Sequence, residues 1–232
     1  MRILLVVFFV FLFNCEDKQS SKKQNLKEKS ISSNNISSEK INTEKKSETL
    51  KLDEKNAIPF FSEYEKENLE NKVRIFTDFG NIDIELFKAT KYHRANFIFL
   101  TKKDYFDNTQ FYRVVPNFVI QAGNSDNAEI GRRRTKIGRY LLPKDTKHGF
   151  KHNRGVLSMP SSEIENPHKL ASPYEFFIVT KKDGAHHLDG DYTVFGKVVA
   201  GMDVVDQINK QETDNREWPL QNIYIKKVEI LD

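Results

Sequence analysis

Phe111–Gly123 reads FYRVVPNFVIQAG. Two strand-like runs, Gln110–Val115 and Phe118–Ala122, flank Pro116-Asn117. Residues two apart on an extended strand share a face, so Phe111, Arg113 and Val115 are expected on one side and Tyr112 and Val114 on the other. An arginine among apolar neighbours on one face is costly to leave unpaired. It is either a surface residue covering a strand or a cation held for a purpose. Outward from this stretch, Val73–Thr77 and Ile82–Phe87 alternate with period 2 around Asp78-Phe79-Gly80-Asn81 and predict a β-hairpin. Further strand-like runs fall at Gly155–Met159, Phe176–Thr180, Thr193–Val199 and Ile223–Ile230. Ala89–Lys102 carries Ala95, Ile98 and Phe99 at helical spacing and predicts an amphipathic helix, and Met202–Asn209 a second, short one. Eight strands and two helices without regular alternation point to an all-β domain. The expected form is a closed eight-stranded antiparallel barrel capped by two α-helices rather than a doubly wound sheet.

The 232 residues are not uniform in composition. Arg2 is followed by an unbroken apolar run, Ile3–Phe13. As a helix this run covers roughly 16 Å, about half of a bilayer's hydrocarbon core, so an export signal fits better than a membrane span. Phe13-Asn14 lacks the small residues of an ordinary signal-peptidase site. Leu12 three positions before Cys15 resembles the lipobox of bacterial lipoproteins, with Asn14 where Gly, Ala or Ser is usual. That resemblance makes residues 1–14 a signal peptide and Cys15 an acylated first residue, anchored by about 0.8 kcal/mol per buried methylene. A cleaved soluble form and an uncleaved anchor are the alternatives. Residues 15–56 are rich in Lys, Ser, Asn and Glu and lack aromatic residues, Gly and Pro, as expected of a disordered polar tether. Some 40 such residues span an r.m.s. distance of roughly 35 Å. Residues 57–71, AIPFFSEYEKENLEN, form an intermediate pre-domain segment, expected as a helix packing Phe60, Phe61 and Tyr64 on the domain.

From Ala57 onward 26 basic residues face 25 acidic ones, a near-neutral balance that argues against an electrostatic nucleic-acid binder. A single cysteine, Cys15, excludes a disulfide framework and a multi-cysteine metal site. There is no glycine-rich phosphate loop, HExxH or GxSxG. His148 and His152 are four apart, but Gly149 and polar neighbours disfavour a metal-binding helix face. The basic stretch Arg132, Arg133, Arg134, Lys136, Arg139 reads as a solvated loop, with contact to a phosphate or acidic partner as the alternative.

Phe111–Gly123 together with HLDGDYTVFGKVVAGMDVVDQI, His187–Ile208, resembles the two signature stretches of the cyclophilin family of peptidyl-prolyl cis-trans isomerases. GVLSMP at Gly155–Pro160, EFFIVT at Glu175–Thr180, NIDIELF and RANFIFL fit the same family in order, so the resemblance covers residues 72–232. It implies the eight-stranded barrel, catalysis of X–Pro bond rotation (EC 5.2.1.8) without metal or cofactor, proline-containing segments of folding proteins as partners, and a monomer. By position it implies a catalytic arginine at Arg113 and an active-site glutamine at Gln121. It implies a proline pocket from Phe118, Val119, Phe177, Leu188 and Tyr192, and a substrate-pairing strand around Met159–Ser161. Coupled to the lipobox, it suggests a lipid-anchored isomerase or chaperone of exported proteins in a bacterial envelope, on the periplasmic or outer side.

Several positions depart from the family pattern. Glu175 stands where Gln is usual, and a carboxylate there can accept a substrate N–H or pair with Arg113. His187 replaces the tryptophan of members that bind cyclosporin tightly. Ser172-Pro173-Tyr174 replaces small residues, and Ser162–Ala171 is longer than usual. A cyclophilin-like module that grips proline segments without catalysis remains a second reading, with Glu175 as its supporting feature. A third makes the arginine cluster a dock for an acidic partner.

Overall fold

The computed structural model describes residues 51–161 and 166–231, so the signal, Cys15 and most of the tether lie outside the described residues. Eight strands close a barrel: β1 (Lys72–Thr77), β2 (Gly80–Leu86), β3 (Thr109–Val115), β4 (Val119–Asn124), β5 (Val156–Ser158), β6 (Phe176–Val179), β7 (Val194–Ala200) and β8 (Tyr224–Ile230). Around the barrel they run β1-β2-β7-β5-β6-β4-β3-β8, and every pairing is antiparallel. Their alternate residues fill the interior, among them Val73, Ile75, Ile82, Ile84, Ile120, Leu157, Phe176, Ile178, Phe195 and Ile225.

Among the described residues four α-helices accompany the barrel: the two expected, α2 (Lys91–Lys102) and α4 (Met202–Asn209), the pre-domain helix α1 (Ala57–Glu67), and one not expected, α3 (Ala128–Ile137). Of the basic stretch expected as a solvated loop, Arg132, Arg133, Arg134 and Lys136 lie on α3 and Arg139 just beyond it. The helix N-cap is Asn127, its side chain accepting from the Glu129 N–H at 2.8 Å. Capping and ion pairs hold a segment with little apolar periodicity in a helix. α2 also departs from the amphipathic expectation, because every residue from His93 to Thr101 is buried. The cause is α1, which packs Phe60, Phe61 and Tyr64 around Phe99 with ring centroids 5.2, 5.7 and 5.5 Å away. Two polar residues of this buried helix, Arg94 and Asn96, reach partners on other segments. Arg94 Nη1 donates to the carbonyls of Asn68 (2.6 Å) and Glu70 (3.1 Å), and Nη2 to that of Glu65 (3.3 Å), satisfying the chain end of α1. Asn96 donates to the Pro173 carbonyl at 2.8 Å and accepts from the Tyr140 hydroxyl at 2.8 Å.

The folded unit also reaches further back than the expected boundary at residue 57. Leu52, placed in the tether by composition, is 1% exposed and bridges Gly138, with Leu52 N donating to Ile137 O and Arg139 N to Leu52 O. Gly138 has φ +140°, and a Cβ there would lie 1.9 Å from the Leu52 carbonyl oxygen. One leucine in a polar run carries no periodicity, so composition alone hides it.

Candidate active site

The regular alternation expected for β3 fails at Tyr112. Phe111 pairs with Ala122 and Arg113 with Gln121, so two steps on β3 match one on β4. The extra residue is a β-bulge, and it reverses the parity of the strand. Phe111 and Val114 therefore both enter the core, while Tyr112 and Arg113 lie half-buried outside it. Expected face-sharing of Phe111 with Arg113, and of Tyr112 with Val114, is thus corrected. Without the bulge Arg113 would point into the barrel beside Phe111, where a charge is prohibitively costly.

Outside the barrel, the strand residues that do not face the core build a second apolar cluster. Val119, Val156, Phe177, Val179, Ala185 and Val194 are buried there, with Phe87, Val115, Phe118, Leu188 and Tyr192 packed against them. β6 shows the division: Phe176 and Ile178 face the barrel interior, Phe177 and Val179 this outer cluster. Phe118 stacks on the exposed His187 ring at 5.4 Å, and Phe177 meets Tyr192 edge-on at 6.3 Å. Of the sequence-derived pocket residues, the structure thus brings together Phe118, Val119, Phe177, His187, Leu188 and Tyr192. Met159 is not among them. Its side chain is buried in the barrel core and its N–H donates to Thr193 O at 3.3 Å. Ser161 bridges Ala171 and accepts from Asn166 Nδ2 at 3.0 Å, while the Pro160 carbonyl accepts from Ser172 N at 2.8 Å.

Two side chains that the sequence did not assign to the pocket support the cluster. Asn209 of α4 donates to Val115 O (2.9 Å) and accepts from Asn117 N (3.0 Å), fixing the turn that presents Phe118. His152 lies under Phe177, the rings nearly parallel at 6.0 Å. Its Nδ1 is 2.9 Å from Asp189 Oδ1 and its Nε2 3.0 Å from Ser158 Oγ, which donates to Thr193 O. Burial lowers the His152 pKa, with Asp189 opposing. For Asp189 burial acts upward, but hydrogen bonds from the His152 N–H and ring and from His186 outweigh it and hold the carboxyl at about 2. His152 is therefore part of the pocket floor, and the i, i+4 spacing with His148 does not fall on a helix.

Along the rim runs a chain of polar groups. Arg113 Nε donates to Glu217 Oε2 at 2.6 Å and Nη1 to Gln121 Oε1 at 3.4 Å. Gln121 Nε2 donates to the Tyr112 hydroxyl, which donates to Glu175 Oε2 at 3.1 Å. Glu175 Oε1 accepts from Arg134 Nη2 at 3.2 Å, and that guanidinium lies over the Tyr174 ring at 4.6 Å. Glu175 thus turns to α3 rather than to Arg113. Gly123 permits the approach: at φ +101° its Cβ would fall 2.2 Å from Tyr174 O, so any side chain would push away the segment carrying Glu175. The carboxylate that does meet Arg113 is Glu217, distant in sequence and in a loop without periodic pattern. An apolar surface cluster beside a guanidinium held by fixed partners can pack against an apolar ring and offer N–H donors to an atom at its edge. The serine–histidine contact beneath it, Ser158 Oγ to His152 Nε2, is fully buried and its hydroxyl donates to Thr193 O. It presents no accessible nucleophile, and the arrangement suits a reaction without covalent intermediates.

Residues 72–230 match the family model described as cyclophilin type peptidyl-prolyl cis-trans isomerase/CLD. The chain belongs to the cyclophilin family. This cyclophilin is 37% identical over 169 residues to peptidyl-prolyl cis-trans isomerase-like 2 of Rhizopus delemar, a match covering 72% of the chain and 30% of that protein. It is 35% identical over 160 residues to peptidyl-prolyl cis-trans isomerase-like 3 of Dictyostelium discoideum, covering 68% of the chain and 94% of that protein. The crystal structure of a Cryptosporidium parvum cyclophilin type peptidyl-prolyl cis-trans isomerase superposes with a TM-score of 0.59 at 27% identity, over 70% of this cyclophilin and 98% of that chain. The same protein in the presence of the dipeptide Ala-Pro gives 0.58 at 28% identity. The α1 helix, which covers α2, lies before the residues matched by the family model.

Proposed function

We propose that this cyclophilin rotates X–Pro bonds in exported proteins from a lipid anchor at Cys15, with Arg113 as its principal catalytic group. Rotation about a peptide bond faces a barrier of about 18–20 kcal/mol because the C–N bond has double-bond character. The twisted state has a pyramidal nitrogen with its lone pair restored. A fixed donor aimed at that nitrogen binds the twisted state better than the planar one, and this difference is the catalysis. Arg113 is that donor, at the rim of an apolar socket in which Phe118, Val119, Phe177, Leu188 and Tyr192 hold the proline ring. Gln121 accepts from the guanidinium, and His187 widens the socket wall through its stack on Phe118. The observation that carries the reading is the bulge at Tyr112, which sets Arg113 outside the core beside this cluster. The Ala-Pro dipeptide named with the similar solved structure fits a ligand of this class. Glu175, the one feature that favoured a non-catalytic grip, is held by Arg134 and leaves Arg113 unblocked from that side.

The envelope location rests on Arg2, the run Ile3–Phe13, and Leu12 before Cys15. Acylation there, followed by a polar tether, gives the domain reach over proteins emerging at a membrane. The test is cis–trans exchange of a proline peptide followed by NMR with the full chain in detergent. Acceleration is expected, falling at least tenfold in Arg113→Ala with the amide spectrum retained; binding without acceleration overturns the reading. In cells, Cys15→Ser is expected in the soluble fraction, and unchanged membrane retention contradicts lipidation.

A further inference from the structure

We infer that Glu217 is a positioning residue for the isomerase reaction, holding the Arg113 guanidinium in the orientation from which its terminal N–H groups reach the proline nitrogen. The inference rests on the catalytic reading of Arg113 given above. An arginine side chain has many rotamers, and a half-exposed one on a barrel rim is not aimed by packing alone. Gln121 restrains it weakly, at 3.4 Å, whereas Glu217 accepts from Nε at 2.6 Å. The site of that bond matters. Nε–H lies on the stem side of the guanidinium fork, so the carboxylate fixes the plane of the group while Nη2 stays uncommitted to it.

The loop that carries Glu217 is constructed around this contact. Glu217 itself adopts φ +67°, a left-handed conformation that non-glycine residues avoid unless the surroundings impose it. Its N–H donates to Asp214 O at 3.0 Å, and Asp214 N donates to Trp218 O at 2.8 Å. Asp214 Oδ1 accepts from the N–H groups of Arg216 (2.8 Å) and Trp218 (2.9 Å). The Glu217 carbonyl accepts from Val114 N at 2.8 Å, one residue along from Arg113. Carboxylate and guanidinium are thus tied to neighbouring residues of β3, Val114 and Arg113. With side chains 33% and 42% exposed, the pair contributes little to global stability, so its loss leaves the fold intact and isolates its effect on Arg113.

The experiment compares Glu217→Ala, Glu217→Gln and Arg113→Ala in the full chain, measuring kcat and KM for a proline peptide and the 15N signal of the Arg113 Nε–H. Glu217→Ala is expected to lower kcat about tenfold, about 1.4 kcal/mol of transition-state stabilisation, with KM within twofold and the Nε–H signal broadened. Glu217→Gln keeps an acceptor oxygen at the same reach and is expected to recover most of kcat and a sharp signal. Should the alanine variant fail to fold, Glu217→Asp, which draws the carboxylate back by one methylene, is expected to lose kcat severalfold. A kcat equal to or above that of the parent in Glu217→Ala, or in Glu217→Asp if that variant stands in, overturns the inference, as does a Gln variant no better than Ala. If Arg113→Ala also leaves exchange unchanged, the catalytic reading falls first. If Arg113→Ala is inactive and Glu217→Ala is not, only the positioning role falls.

Discussion

The interior of the barrel and the pocket outside it are lined by opposite faces of the same strands, yet they treat polar groups differently. Inside, the lining is aliphatic and aromatic, and His93 of α2 is fully buried with both ring nitrogens lacking a hydrogen-bond partner. Outside, the apolar cluster is edged and floored by groups that each have a defined partner: His152 with Asp189 and Ser158, Arg113 with Glu217 and Gln121, Glu175 with Tyr112 and Arg134. A closed interior needs only volume and shape, and a polar group there is tolerated in its uncharged form. A working face must hold charges in set directions, and that takes partners drawn from distant parts of the chain.

Adjacent residues of β6 test this division most directly. Phe176 faces the interior and Phe177 the outer pocket. Phe176→Ala is expected to destabilise the protein by about 3–5 kcal/mol, the usual cost of emptying a core aromatic site, with KM for a proline peptide unchanged in the protein that remains folded. Phe177→Ala is expected to cost roughly half as much in stability, because its site opens to solvent on relaxation, and to raise KM at least tenfold. Urea unfolding and exchange kinetics on both variants give the answer. Equal stability losses with unchanged KM in both would erase the distinction between the faces.

The two buried histidines offer the next test, through pH. Burial lowers the pKa of His93 to about 4, with the Asp145 charge opposing. The folded state then binds fewer protons than the unfolded chain between about pH 6.5 and 4, so stability from a neutral His93 is full above that window and declines as pH falls through it. At 1.36 kcal/mol per unit this amounts to about 2–3 kcal/mol between pH 7.5 and 4.5. His152, lowered by burial and opposed by Asp189, acts in the same sense. Asp189, held at about 2, loses its contribution only below about pH 4, a separate window. His93→Leu is expected to flatten most of the slope between pH 7.5 and 4.5, as measured by urea unfolding at both ends. A slope unchanged in that variant would shift the acid sensitivity to the pocket floor.

What could be read in advance follows the same division. Strand positions were accessible because interior residues repeat with period 2, and the barrel because eight such runs come without regular helix alternation. The pocket residues Phe118, Val119, Phe177, Leu188 and Tyr192 were accessible through family resemblance. The reversal at Tyr112 was not, since a bulge leaves no mark on the alternation of FYRVV until the partner strand is in place. Glu217, Asn209 and the Glu175–Arg134 pair were hidden because each joins segments far apart in the chain, and α3 because its helix rests on a cap and side-chain pairs rather than on a hydrophobic stripe.

The smallest expected effect concerns that helix, whose basic residues divide between the two roles. Arg134 holds Glu175, and Arg133 donates to the carbonyls of Asp104 and Asp107 at 3.0 and 2.8 Å and to Glu129 Oε1 at 2.8 Å. Arg132 and Lys136 are exposed one turn apart. The double variant Arg132→Gln, Lys136→Gln is expected to change stability by less than about 0.5 kcal/mol and to leave exchange kinetics untouched, as for solvated charges generally. Arg134→Gln, although a change of one charge rather than two, is expected to have the larger consequence. It releases Glu175, whose carboxylate then competes for Gln121 and Tyr112 and loosens the far side of the Arg113 network, lowering kcat a fewfold. Exchange kinetics on the two variants separate the cases: a kinetic effect of the double variant as large as that of Arg134→Gln would mean that the whole basic face, and not its one inward-turned member, acts on the site.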